Sequence, residues 1–363
     1  MRILLISAYE ASSHKAWANS LMSQLAEHDW SYMALPARHF AWRIRGNAMS
    51  FAFDPKFKTL LEKPYDLIIA TSMTDCVGLK AFCPDLQNIP WFVYFHENQF
   101  AYPASAQQQG LVEMQMVTLY SALAADQCIF NSQFNKDSFF SGARALLTKL
   151  PDYVSPDWLN VTEEKAKVLA VPISQLRAEP SRQKRQAGGP VRLVWSARWE
   201  YDKGPDRLLA ILQELKRRHV PFEIAILGEQ FRTIPKEFEQ IKQDFSEYIH
   251  QFGYAQNRQD YLNCLATADM VLSTALHEFQ GLAVLEAVSL GCVPVLPNRQ
   301  VYPELFGDQY LYHSHNANIQ LEAKSAVDLI IKINLENTPA PSTKQFQTKC
   351  LLPEYRRLIS AMS

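Results

Sequence analysis

Ala268-Asp269-Met270-Val271-Leu272-Ser273-Thr274, followed shortly by His277-Glu278-Phe279-Gln280-Gly281-Leu282-Ala283-Val284-Leu285-Glu286-Ala287, is the stretch on which the fold turns. Its first part is a short apolar run of buried-strand type ending in small hydroxyl residues. In the second part Leu282, Leu285, Glu286 and Leu290 recur at helical spacing, which puts Gly281 near a helix start. Free backbone N–H groups and the positive end of the helix dipole attract phosphate at such a start, and a glycine lets the ligand approach the backbone. Glu278 and Glu286 stand eight positions apart. Eight residues of helix span roughly 12 Å, so the two carboxylates can hold sugar and ribose hydroxyls at opposite ends of one elongated ligand while a diphosphate lies on the amides between. The pattern reads as a nucleotide-sugar site. Taken alone, the same spacing also suits a solvated loop carboxylate at Glu278 and a capping or surface carboxylate at Glu286.

Outward from this stretch, the N-terminal half alternates apolar runs with helical patterns: a strand at 2–7, a helix near 15–27, strands at 65–70 and 91–95, a helix near 112–124 and a strand at 127–131. That alternation predicts a parallel sheet with helices on both faces. Residues 181–190 are polar and glycine-rich, which places a boundary near 171–190. The pattern then restarts at 191–195 and continues with strands at 222–227, 250–253, 270–273 and 293–296. The expected architecture is α/β, with two doubly wound Rossmann-like domains at 1–175 and 190–345. Their strands should carry ligands in a central cleft at the carboxyl ends. The last segment, 346–363, is expected to cross back onto the first domain.

A chain of 363 residues is longer than one core usually supports. With 48% hydrophobic residues and a formal charge of -1, it lacks the global basic excess of a general nucleic-acid binder, though a local basic patch is compatible with that balance. Met1 to Ser7 is too short an apolar run for a signal peptide, and no stretch reaches transmembrane length. The six cysteines form no CxxC pair, against both a zinc site and a disulfide framework. A reducing cytoplasmic setting fits best.

Several further residues fall at the ends of predicted strands. Arg198 and Lys203, in Ser196-Ala197-Arg198-Trp199-Glu200-Tyr201-Asp202-Lys203-Gly204-Pro205, sit between the strand at 191–195 and a helix predicted at 205–219. Two cations there would neutralise a diphosphate leaving group, although each also suits a solvated loop. His96-Glu97-Asn98-Gln99 follows the strand at 91–95 directly, and His96 is equally compatible with a satisfied structural histidine. In Ser12-Ser13-His14-Lys15 either serine suits a helix N-cap. No DxD-type acidic pair accompanies these motifs, so no catalytic metal is expected, the positive charge coming from Arg198, Lys203 and the helix start at Gly281, Leu282 and Ala283.

Together these residues resemble the retaining GT-B glycosyltransferases of the family-4 type, whose Arg...Lys-Gly loop and E-x7-E around a glycine are matched by Arg198, Lys203-Gly204, Glu278, Gly281 and Glu286. More narrowly, Leu35-Pro36-Ala37-Arg38-His39-Phe40-Ala41-Trp42-Arg43-Ile44-Arg45, the run from Tyr94 to Pro103 and Phe130-Asn131-Ser132-Gln133-Phe134-Asn135 are similar to the tRNA-queuosine mannosyltransferase family. The resemblance implies transfer of mannose from GDP-mannose, with retention and without a metal, to a hydroxyl of queuosine in the anticodon loop of tRNA-Asp. It further implies donor-sugar contacts from Glu278, ribose contacts from Glu286, diphosphate contacts from Arg198 and Lys203, and His96 at the reaction centre. Acceptor contacts would come from Ser13, His14, Arg38, Trp42, Arg43, Arg45, Glu97, Asn98 and Gln99. Without an enzymic nucleophile, retention implies same-face attack with the departing phosphate oxygen taking the acceptor's proton. The chain departs from the wider family-4 pattern in Phe279-Gln280 before the glycine, in Ala283 where proline is frequent, and in Ser12-Ser13 where two glycines are common.

The segment Arg38 to Arg45 interleaves cations with aromatics, as phosphate contact and base stacking on a single-stranded loop require, and as a solvated amphipathic segment with Phe40 and Trp42 turned inward would also show. Arg182, Lys184, Arg185, Arg192 and Lys216-Arg217-Arg218 extend the charge or are ordinary solvated cations. A GT-B enzyme acting on a lipid or polysaccharide would share the donor motif, but it calls for a lysine-rich amphipathic helix that the sequence does not display. A noncatalytic nucleotide-sugar-binding protein would tolerate loss of Glu278, Glu286 or Lys203, and all three are present.

Overall fold

The computed structural model describes residues 1–101, 110–149, 152–176, 178, 189–230 and 234–362. The stretch 181–188, with Arg182, Lys184 and Arg185, and the Tyr102-Pro103 pair lie outside these. The chain forms two compact units, unit 1 comprising Met1–Pro172 with Lys349–Ser363 and unit 2 comprising Ile173–Thr348.

Unit 1 runs β1 (Arg2–Glu10), α1 (Ser12–Gln24), β2 (Asp29–Pro36), α2 (Phe40–Phe53), α3 (Pro55–Leu61), β3 (Leu67–Thr71), α4 (Cys76–Phe82), β4 (Trp91–Phe95), α5 (Leu111–Ala124), β5 (Gln127–Phe130), α6 (Gln133–Leu147), α7 (Asp157–Glu164) and β6 (Ala166–Val168). The six strands pair in parallel in the order β2-β1-β3-β4-β5-β6. Every residue of β3, β4 and β5 is buried, because crossover helices cover both faces of an inner parallel strand. At the edge, β2 was not anticipated. Its Ser31, Met33 and Leu35 turn inward at alternate positions, a period-two pattern rather than a continuous apolar run.

Unit 2 runs β7 (Val191–Ser196), α8 (Pro205–Arg217), β8 (Phe222–Leu227), α9 (Glu237–Asp244), β9 (Ile249–Gly253), α10 (Arg258–Thr267), β10 (Met270–Leu272), α11 (Leu282–Ser289), β11 (Val293–Pro297), α12 (Tyr302–Leu305), β12 (Leu311–Tyr312) and α13 (Ile319–Glu336). Its sheet order is β12-β11-β10-β7-β8-β9, again parallel. The last helix, α14 (Thr348–Ser360), falls almost wholly within unit 1.

Strand order reverses between β1 and β3 in unit 1 and between β7 and β10 in unit 2. At such a switch point the loops leaving two neighbouring strands diverge, and a ligand can enter between them at the carboxyl ends. In unit 2 these loops are 197–204 and 273–281. A buried ion cluster braces that half: Glu322 on α13 is fully enclosed, with Arg207 Nε of α8 3.1 Å from Oε1 and Arg299 against the same oxygen. Both cations neutralise one carboxylate whose charge burial would otherwise penalise heavily.

Candidate functional site

Gly281 is the N-cap of α11, with φ 70°, and no side chain caps the helix. A Cβ there would stand 3.2 Å from the Tyr302 ring, so a glycine serves both the left-handed backbone and the close packing. Gly204 plays the matching part ahead of α8: its φ is 65°, Pro205 opens the helix, and a Cβ would fall 2.2 Å from the Thr274 carbonyl oxygen. The two loops are therefore pressed together, and hydrogen bonds hold them so. Thr274 Oγ1 donates to the Lys203 carbonyl at 2.8 Å and accepts from Trp195 Nε1 at 2.8 Å. Leu276 N and His277 N donate to the Asp202 carbonyl at 2.8 and 3.2 Å.

Lys203 crosses this junction. Its buried ammonium donates to the His277 carbonyl at 2.8 Å and lies 3.3 Å from Glu278 Oε2 and 3.2 Å from Asp202 Oδ2. Burial lowers the lysine's proton affinity, but Glu278 and Asp202 more than offset it and hold the pKa above its ordinary value. Glu278 shows the converse. Burial alone would raise its pKa, yet Lys203 and the backbone N–H groups of Gly281 and Gln280 outweigh it and bring it below the usual carboxylate value. Glu278 Oε1 also accepts from Phe279 N at 3.1 Å. The result is a fixed charged pair lining a pocket with Ser196, Ala197, Gly281 and Ala283, next to the uncapped amides at the start of α11, Leu282 and Ala283 among them.

The other two residues of the motif are less bare than their sequence pattern suggests. Glu286 faces outward from α11 onto Arg258, the first residue of α10, with Arg258 Nη1 3.1 Å from Oε2 and Nη2 against Oε1. Arg198 is half-exposed and pairs with Glu200 at 2.9 Å. A second concavity lies at the carboxyl ends of β8 and β9, lined by Glu229, Gln230, Phe252, Gly253 and the exposed Tyr254. Glu278 thus meets a lysine and Glu286 an arginine, and Asp202, Thr274 and Arg258 pack into the same clusters although no pattern marked them.

In unit 1 the structure gathers His14 and His96 into one ring stack, centroids 4.2 Å apart and planes at 21°. Trp17 meets His96 edge-on at 4.7 Å and Tyr94 packs at 4.7 Å. His96 Nε2 is buried without a protein partner. Burial, then the neighbouring His14, hold the His96 pKa well below the ordinary histidine value. At the end of β3 and just after it, the buried hydroxyls of Thr71, Ser72 and Thr74 also lack protein partners, a concentration of unused hydrogen-bonding capacity at the switch point. Neither Ser12 nor Ser13 is an N-cap: Ala11 holds that position, and Ser13 is exposed in the first turn of α1.

Of the remaining acceptor candidates, Asn98 is corrected. It is fully buried, the two N–H groups of its amide are shared among Asn135 O, Asn135 Oδ1 and Ser138 Oγ, and its Oδ1 accepts from Phe100 N and Ala101 N. No capacity is left for a ligand. Gln99 is likewise buried, its Nε2 against Met73 Sδ at 3.7 Å, whereas Glu97 is half-buried. The Arg38 segment opens α2. Trp42 is 59% exposed and does not face the core; its ring lies over Gly46, where a Cβ would come within 2.7 Å of it. Arg38, His39 and Arg45 are exposed and Arg43 half-buried.

Paired Rossmann-like sheets and a Lys-Glu pair beside a phosphate-attracting helix start define a glycosyltransferase of the GT-B class. Similar solved structures include sucrose-phosphate synthase from Thermosynechococcus elongatus, with a TM-score of 0.72, 13% identity and coverage of 99% of this chain and 100% of that one. Another is Anabaena HepE in complex with UDP, at 0.69 and 14% with the same coverage. The model of the tRNA-queuosine alpha-mannosyltransferase N-terminal region matches residues 2–173, and that of glycosyl transferases group 1 matches 177–340. A tRNA-queuosine alpha-mannosyltransferase of Drosophila melanogaster is 36% identical over 327 residues, 87% of this chain and 84% of the relative. The chain belongs to the tRNA-queuosine alpha-mannosyltransferase family.

Proposed function

We propose that this glycosyltransferase moves mannose, with retention, from GDP-mannose to a hydroxyl of queuosine in tRNA-Asp. The observation that carries the reading is the buried Lys203–Glu278 pair at the start of α11 in a chain whose relative is named for this acceptor and sugar. On this reading the diphosphate rests on the α11 amides and Lys203, with Arg198 swinging from Glu200 to join it. Glu278 accepts hydroxyls of the mannose, Glu286 those of the ribose, and the base lies toward Glu229 and Tyr254. The reaction is same-face displacement. The sugar–phosphate bond breaks, the acceptor oxygen bonds to the anomeric carbon, and its proton passes to the departing phosphate oxygen.

Unit 1 supplies the acceptor side. Neutral His96 donates or accepts a hydrogen bond at the transferred sugar, and the orphan hydroxyls around Thr71 receive the cyclopentenediol. Exposed Arg38, Trp42 and Arg45, with half-buried Arg43, hold the anticodon loop by phosphate contact and stacking. The Lys203 ammonium and the helix start stabilise the leaving charge, so no divalent ion is required. A cytoplasmic tRNA is the natural partner on this reading; among the described residues no helix is long and apolar enough to cross a membrane. The test is incubation with GDP-mannose and queuosine-containing tRNA-Asp, followed by mass analysis of the nucleoside. One added hexose is expected. Consumption of GDP-mannose with unmodified queuosine would move the acceptor to another class.

A further inference from the structure

We propose that Tyr355 is a positioning residue for His96: its hydroxyl ties Trp17 to Tyr94, the two aromatic walls of the imidazole, so that the last helix of the chain fixes the histidine's orientation. The proposal rests on the reading of His96 above.

The hydroxyl of Tyr355 is a three-way junction inside unit 1. Trp17 Nε1 donates to it at 3.2 Å, and its own proton is shared between the Ala170 carbonyl at 3.0 Å and Tyr94 Oη at 3.1 Å. Tyr94 in turn donates to the Leu169 carbonyl at 2.7 Å. Each donor is thus matched to an acceptor, in a place where an unpaired indole N–H would be costly. Trp17 and Tyr94 stack on each other at 4.5 Å, and each also touches the His96 ring. The titratable groups against that ring are His14 of α1 and Tyr94 of β4, with Glu97 next in the chain. To dock α14 by apolar burial alone, the inward-facing Leu358 and Ile359 and a phenylalanine at 355 would suffice. The phenol adds directional bonds, and two of its three partners are the rings that confine His96.

The test uses the full chain with Tyr355→Phe, GDP-mannose and queuosine-containing tRNA-Asp, alongside magnetic-resonance titration of ring-labelled histidine with His96 assigned by His96→Gln. Removing the hydroxyl lets Trp17 shift and admits water to the imidazole. We expect kcat to fall about tenfold or more, as small misplacements at a reacting centre do, with both KM values within about twofold. The His96 midpoint should move up toward about 6.5. Trp17→Phe, which removes the other end of the same bond, should give the same shift and covers the case in which Tyr355→Phe does not fold. Arg356→Ala, which breaks only the exposed pair with Glu27, should change neither readout. Unchanged kcat and His96 midpoint in Tyr355→Phe, or equal changes in Arg356→Ala, would overturn the proposal. Full turnover by His96→Gln would instead remove His96 from the reaction centre, leaving the titration to judge the positioning alone.

Discussion

Arg258 and Glu286 meet through both terminal guanidinium nitrogens, Nη1 and Nη2, and both carboxylate oxygens. The acid expected to grip a ribose is therefore oriented in advance, with the Arg258 plane over the Tyr261 ring at 5.0 Å and Tyr261 Oη 3.2 Å from Ser196 Oγ. With Tyr261 also bonded to it, the carboxylate still keeps a lone pair for a ribose hydroxyl.

Glu286→Gln should therefore raise the Kd for GDP roughly tenfold, the worth of a charge-assisted hydrogen bond. Arg258→Ala should raise it only a few-fold, because the acid remains but loses its fixed orientation. Calorimetric titration with GDP checks both, and an unchanged Kd in Glu286→Gln would remove that residue from the ribose.

Lys203→Met should reduce kcat/KM by on the order of 10²- to 10³-fold, the usual loss when one preorganised charge-stabilising group is removed, while tRNA affinity stays unchanged. Addition of a chelator to the wild type should leave turnover as it was. The pair also sets a stability window. Glu278, depressed, contributes above its unfolded pKa of about 4.3 and loses that contribution as pH falls through its folded value; Lys203, raised, contributes below about 10.4 and loses it as pH rises through its folded value. Unfolding free energies of wild type and Lys203→Met, read from denaturant titrations, should differ most between those limits, by about 2 kcal/mol given that Glu278 keeps a quarter of its side chain exposed. An equal gap below pH 4 would contradict the pairing.

Charge reversal of Arg38 and Arg45 should weaken tRNA binding and lower the slope of log K against log salt by about 0.7 for each single-stranded phosphate the protein no longer neutralises. Arg45 has a loose partner in Glu113 at 3.7 Å and both side chains are half-exposed, so little intramolecular energy opposes its recruitment. Trp42→Ala should weaken binding without altering the salt slope. An affinity and slope unaffected by the arginine changes would place the RNA elsewhere.

Most of the strands that sequence reading recovered are inner strands with continuous apolar runs, such as Trp91–Phe95, because such a run survives without any knowledge of its neighbours. Of the four edge strands, β9 was anticipated, whereas β2, β6 and β12 escaped it: one alternates, and the other two span three and two residues. The same divide runs through the site. Glu278, Gly281 and Lys203 were legible because loop and helix start lie close together in sequence, whereas Asp202, Thr274 and Arg258 act through contacts that only the strand order β10-β7-β8-β9 creates. Asn98 misled for a related reason. An amide after a strand looks available until its partners on α6 are known.

Asn98→Ala should for that reason act on stability and not on acceptor binding. Its side chain joins the loop after β4 to α6 by donating to Asn135 and Ser138, and it turns the chain by accepting from Phe100 N and Ala101 N. Truncation leaves these buried groups unpaired at about 1 to 3 kcal/mol each before relaxation, so a net loss of about 3 kcal/mol is expected, read as a lower urea midpoint at unchanged slope. At temperatures where the variant remains folded, KM for tRNA should match the wild type. A variant of normal stability with a raised KM for tRNA would return Asn98 to the acceptor site.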